Sequence, residues 1–148
     1  YSANSRTYNY RIYVSPSQNP LAERYAWRVW PEPDQAVLTQ AANLFIGEHD
    51  FQAFGSAPKK GGSTVRQVTL SRWDQVDGGM QYAVSANGFL YHMVRRIVLA
   101  QIQHASGIIS LEILRNAIEN GITISAGMAP AKGLVLTEVS YGDLLLAS

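Results

Sequence analysis

Arg95 is the residue whose type and position suit a purely structural part least. On a helical projection it falls at the edge of the apolar stripe formed by Leu90, Met93, Val94 and Ile97, where a guanidinium loses part of its hydration and wants an anionic partner. Two readings are open. In one, Arg95 pairs with any nearby carboxylate or extends its head group to water. In the other it keeps an active-site carboxylate ionised, because an opposite charge within hydrogen-bond reach lowers the pKa of an Asp. The three histidines, His49, His92 and His104, could each serve as a base or ligand. No HExxH or other paired-histidine spacing joins them, so no metal site is expected. No GxGxxG occurs, and Lys60-Gly61-Gly62-Ser63 runs in the reverse order to a phosphate-binding P-loop, which argues against a nucleotide cofactor. A serine-hydrolase elbow, GxSxG, is also absent from the sequence.

The elements that must position these side chains follow from periodicity. Tyr8, Tyr10, Ile12 and Val14 alternate with Thr7, Asn9 and Arg11, which predicts a half-buried strand over 6–14. Tyr25 to Trp30 reads as a second short strand, stopped by Pro31 and Pro33. Asp34 caps a helix carrying Val37, Leu38, Ala41, Ala42 and Phe45, with Gly47 as its expected stop. APKKGGS at 57–63 reads as a mobile, solvent-facing loop, followed by a hairpin of 65–73 and 80–86 turned at Asp77-Gly78-Gly79. A helix is expected over 90–105, another from the cap Ser110 through Ile118, and a last strand over 133–141 with apolar residues on both faces, hence covered on both. This order lacks the βαβα alternation of a parallel sheet. The predicted class is α+β, one domain over 1–148, with a mainly antiparallel sheet backed by helices.

Composition sets the outer bounds. The 148 residues are 47% hydrophobic and 16% charged, carry a net charge of +1 and contain no Cys. A chain of this size buries roughly 70% of its unfolded surface and needs no disulfide or metal to form a core. The near-balanced charge means that any nucleic-acid surface has to be a local patch. No apolar run is long enough to span a membrane, and a soluble, cytoplasmic protein is expected. The first residue, Tyr1, stands directly beside a strand-like run, which suggests a piece of a longer protein.

Four blocks in order, YSANSRTYNYRIY, LFIGEHDFQAF, ANGFLYHMVRRIV and APAKGLVLTEVSY, resemble the carboxy-terminal half of the tRNA pseudouridine synthase A family. The resemblance spans nearly the whole chain. It implies an enzyme that isomerises uridine to pseudouridine in the anticodon arm of tRNA without metal or organic cofactor, working as a homodimer. In that family an Asp in a GRTDxGVHA-type loop acts on the nucleotide once the base has left the helical stack. No such loop is present here, and Asp34, Asp50, Asp74, Asp77 and Asp143 lie in other contexts. The resemblance therefore places the catalytic Asp before Tyr1 and predicts that these residues are inactive alone.

Residue by residue, Tyr8 resembles the tyrosine that stacks on the flipped uracil and suits proton chemistry at carbon five. Arg95, in HMVR, resembles the basic partner of the missing Asp, and Leu134, in GLVL, the apolar wall of the base pocket. Without the resemblance, Tyr8 is an ordinary strand aromatic and Leu134 a core residue. Lys59, Lys60 and Arg66, with His92 and Arg96 flanking Arg95, form a candidate phosphate-gripping patch, a solvated loop being the other reading of Lys59 and Lys60. GEHDF is expected to end a helix and pack Phe51 and Phe54. Leu99 stands where the family usually has Gly, and Met128 where a small residue is common. A non-catalytic RNA-binding or dimerisation module is the alternative function.

Overall fold

The computed structural model describes residues 5–124 and 127–140. Alternating aromatic and β-branched residues make Ser5–Val14 a strand, β1, and the rest of the sheet is built around it. A polar stretch follows, then β2 (Trp27–Val29), a three-residue strand parallel to Ile12–Val14. Asp34 caps α1 (Gln35–Asn43), its carboxylate accepting from the backbone N–H groups of Ala36 and Val37. Beyond α1 come β3 (Gly47–Asp50), β4 (Val65–Val76) and β5 (Gly79–Ala86). The chain finishes with α2 (Met93–Ala105), α3 (Leu111–Asn120) and β6 (Leu134–Ser140).

The sheet order is β2-β1-β5-β4-β3, and β6 pairs with Ser5–Tyr10 of β1 on the same edge that β2 uses further along. Every pairing except β1 with β2 is antiparallel. The expected α+β class, a mainly antiparallel sheet backed by helices, is what the chain adopts. Tyr10, Ile12, Met80, Tyr82 and Val84 turn to the helices and are buried, as are Ser71 and Trp73 after a bulge in β4. Two pairs of polar groups meet inside this core. Trp73 Nε1 donates to Gln101 Oε1 of α2 at 2.8 Å, and the hydroxyls of Ser71 and Tyr82 lie 2.6 Å apart.

Four expectations need correction. α1 stops at Asn43, before Gly47, because Leu44 and Phe45 turn the chain into the core through N–H bonds to Ala41 and Ala42. GEHD therefore does not end a helix but forms the edge strand β3, while Phe51 and Phe54 are buried as expected. α2 starts at Met93, not Leu90, since Tyr91 is tied to Ser56 and His92 takes a left-handed backbone conformation. The last strand is not covered on both sides: Val135, Leu136 and Val139 are exposed, because β6 is an outer strand with no described element laid over these residues. The expected end of that strand at Tyr141 lies outside the described residues, as does Asp143.

Candidate active site

The strongest convergence of chemistry lies where the first turn of α2 meets β1 and the segment leading into β6. Arg95 is half-buried there, and its Nε donates to Ala129 O at 2.7 Å. The backbone N–H of Ala129 returns a bond to Arg95 O at 3.0 Å, so helix and segment are clipped together twice. One residue further, Pro130 O accepts the Tyr10 hydroxyl at 2.5 Å. Burial pushes the Tyr10 phenol above its usual range, opposed in part by the charge on Arg95. Gly133 completes the junction: a Cβ there would stand 2.7 Å from both Arg11 O and the Tyr10 ring, so only glycine lets the chain pass.

This clip leaves Arg95 asymmetrically engaged. Its Nε serves the backbone, and among the described residues no carboxylate forms an ion pair with it. The outer nitrogens of the planar fork remain for an anion, a geometry suited to a carboxylate. The expectation that a nearby carboxylate of this same region takes Arg95 has no support among the described residues.

Strand register places the remaining residues. Tyr10 is opposite Leu134, and Tyr8 is opposite Leu136. Directly opposed residues share a face, so Tyr8, Tyr10, Leu134 and Leu136 all lie on the helix side of the sheet. Leu134 and Tyr8, both half-buried, pack against the core, whereas Leu136 is 47% exposed. Phe89 meets the Tyr8 ring edge-on, with centroids 5.0 Å apart at 89°. Tyr8 and Leu136 thus form an apolar floor on this side of the sheet, with Phe89 packed on Tyr8 and Leu134 alongside. A planar, mostly apolar ligand could lie on it. Sequence reasoning had named Tyr8, Arg95 and Leu134. It missed Tyr10, Phe89, Ala129 and Leu136, of which only Tyr10 carried a signal, as the second tyrosine of RTYNY.

The basic candidates divide. Lys59 and Lys60 are exposed on a turn that is joined to Tyr91 through Ser56, and His92 follows directly. Arg66 donates through Nη1 to Ser63 O and Val65 O, each at 2.8 Å, and its Nε lies 3.3 Å from where a Cβ on Gly88 would be. The contacts at Ser56 and Gly88 thus tie all four to the segment that leads into α2. Arg96 turns elsewhere, into a shallow depression with Ala53, Phe54 and Leu99, where its buried Nε has no partner among the described residues. Leu99 packs toward Gly127, a Cβ there falling 3.1 Å from Leu99 Cδ2, so the larger side chain at this position is accommodated by a glycine across from it. Among the described residues no group of three potential metal ligands occurs.

The sequence profile of the tRNA pseudouridine synthases matches residues 41–142. The tRNA pseudouridine synthase A of Syntrophotalea carbinolica is 36% identical over 148 residues, an alignment covering 95% of this chain and 56% of that protein. Those of Clostridium botulinum strain Alaska E43 and Chlorobium chlorochromatii are 34% and 35% identical, each covering 95% of this chain and 58% of the relative. The chain thus spans a little over half the length of the relatives it matches. With its profile match and these identities, the chain belongs to the tRNA pseudouridine synthase family.

Proposed function

We propose that this chain is the carboxy-terminal portion of a tRNA pseudouridine synthase that isomerises uridine in the anticodon arm of tRNA. Tyr8 stacks on the extruded uracil, Leu134 closes one side of its pocket with Leu136 beside it, and Arg95 holds the catalytic carboxylate ionised. That carboxylate comes from a segment before Tyr1, so the described residues supply half of an active site. The reaction breaks the N-glycosidic bond, turns the base and rejoins it through carbon five, whose proton must leave. The Tyr8 hydroxyl is suited to that proton step. Lys59, Lys60, Arg66 and His92 grip the RNA backbone, Arg96 being turned away from them, the complete protein is a homodimer and its compartment is the cytoplasm. Among the described residues no helix is long and apolar enough to cross a membrane.

The observation that carries this reading is Arg95, bonded among the described residues through Nε alone, on the same side of the sheet as the apolar floor of half-buried Tyr8 and exposed Leu136. A guanidinium placed so needs an anion, and a floor placed so needs a flat ligand. Family membership favours the synthase over a non-catalytic RNA-binding or dimerisation module. The test is Tyr8→Phe in the full-length protein, assayed by tritium release from tRNA carrying 5-tritiated uridine. Keeping the ring but losing the hydroxyl should slow release about 100-fold or more, with tRNA affinity within about twofold of the parent. Unchanged release would remove Tyr8 from the chemistry.

A further inference from the structure

Between β5 and α2 the chain runs through Asn87 to His92, and its backbone is pinned from two sides. Asn87 N–H donates to Gln67 O at 3.1 Å while Gln67 N–H donates to Asn87 Oδ1 at 2.8 Å, fixing the start to β4. Tyr91 N–H donates to Ser56 O at 2.9 Å in an isolated antiparallel bridge. The approach is so close that a Cβ at Gly55 would lie 2.6 Å from Tyr91 O. Yet the Tyr91 side chain held by this backbone is 63% exposed, and among the described residues its hydroxyl has no partner. Its ring lies against the His92 imidazole, with centroids 3.7 Å apart and planes at 33°.

His92 reaches that position through φ 63°, the only positive φ of a non-glycine residue among the described residues. Such a conformation costs energy and persists only where the surroundings enforce it. The core gains little from the arrangement, since Tyr91 is not part of it. What the strain achieves is an aromatic pair immobilised at the surface. The same segment is reached by the turn carrying Lys59 and Lys60, through its bridge at Ser56, and by Arg66, whose Nε approaches Gly88. None of the three cations forms an ion pair among the described residues. The carboxylate at the loop's base, Asp50, accepts from Thr64 Oγ1 at 2.5 Å and from Gln52 N–H at 3.1 Å.

A rigid exposed π-face among cations fits a ligand that repeats flat rings and negative charges along one chain. Single-stranded nucleic acid has both in every unit, and aromatic stacking of this kind tolerates any base. We propose that the Tyr91–His92 pair is a platform on which an unpaired base of the substrate RNA stacks, separate from the Tyr8 floor. Lys59, Lys60 and Arg66 hold the phosphates on either side of that base. The platform rests on the synthase reading for the identity of the RNA, and it anchors a neighbour of the modified nucleotide rather than the nucleotide itself.

The test measures dissociation constants of the full-length protein for an anticodon-arm RNA at several salt concentrations. Tyr91→Ala should weaken binding about tenfold, Tyr91→Leu similarly, and Tyr91→Phe less than about twofold, because the ring and not the hydroxyl or the bulk carries the contact. The salt slope should stay at the parent value in all three, whereas K59A/K60A should lower it by about one to two. Thermal melts of each variant should match the parent, since Tyr91 lies outside the core. Parent-like binding by Tyr91→Ala or by Tyr91→Leu overturns the platform alone. A parent that binds no RNA overturns the platform and the synthase reading together.

Discussion

Among the described residues Arg95 has one nitrogen committed to the fold and two left for a partner, and that division makes its substitutions informative. Arg95→Lys keeps the charge but loses both the Nε bond to Ala129 O and the planar fork. Tritium release by the full-length protein should fall about 100-fold, because a small misplacement of catalytic groups has that effect. Urea unfolding should report a stability loss of only about 1 kcal/mol for the missing bond. A parent-like rate would mean that charge alone suffices at this position. Gly133→Ala acts on the same junction from the other side, forcing a Cβ to within 2.7 Å of Arg11 O and the Tyr10 ring. It should lower the melting temperature and the tritium-release rate together, as overpacking of a tight site does. The sequence made Arg95 conspicuous through its place on a helical stripe. Its partners were illegible, since Ala129 lies 34 positions away and Tyr10 meets Pro130 across 120, and no local pattern encodes such contacts.

Elements were legible where a period or a cap announced them. Asp34 and Ser110 cap α1 and α3 as their types require, and Ser110→Ala should cost about 1 kcal/mol by urea unfolding, since its hydroxyl accepts the Ile113 N–H at 3.2 Å. The β4–β5 hairpin and β1 followed from alternation. β3 did not, because Gly47-Glu48-His49-Asp50 is a short strand whose exposed charges belong to a sheet edge and carry no apolar signal. The start of α2 was misplaced for a related reason: Leu90 fits the helical stripe, but the bridge from Ser56 to Tyr91 diverts the backbone before the helix can begin. Within the core, the tie between α2 and β4 is polar. Gln101→Leu would strand the buried Trp73 indole N–H, at a cost of about 1–3 kcal/mol in urea unfolding, whereas double replacement with Trp73→Phe should recover part of it. β6 reads as a covered strand from its two apolar faces, but coverage depends on which neighbours are present, and strand periodicity carries no record of them.

At the scale of the molecule, the segment before β2 is tied to the turn before β6 by Glu23, which accepts from Lys132 Nζ at 2.7 Å and from the Tyr13 hydroxyl. The Lys132 bond, then the Tyr13 bond, hold the Glu23 carboxyl below its ordinary value of 4.5. A carboxyl with a depressed folded-state pKa adds stability above that ordinary value and loses it as pH falls through the folded one. Glu23→Gln should therefore flatten the acid limb of a melting-temperature profile below pH 4.5 and leave the neutral region less stable than the parent. The tie matters for function because Lys132 adjoins the Gly133–Leu134 wall of the proposed pocket. In the proposed function this wall, Tyr8 and Arg95 form one half of a synthase site completed by a carboxylate before Tyr1. Tritium release from 5-tritiated tRNA, compared between residues 1–148 and the full-length protein, tests it most directly. Release is expected from the full-length protein and none from residues 1–148 alone. Release by the 148 residues alone, or by neither protein while both bind tRNA, would contradict it.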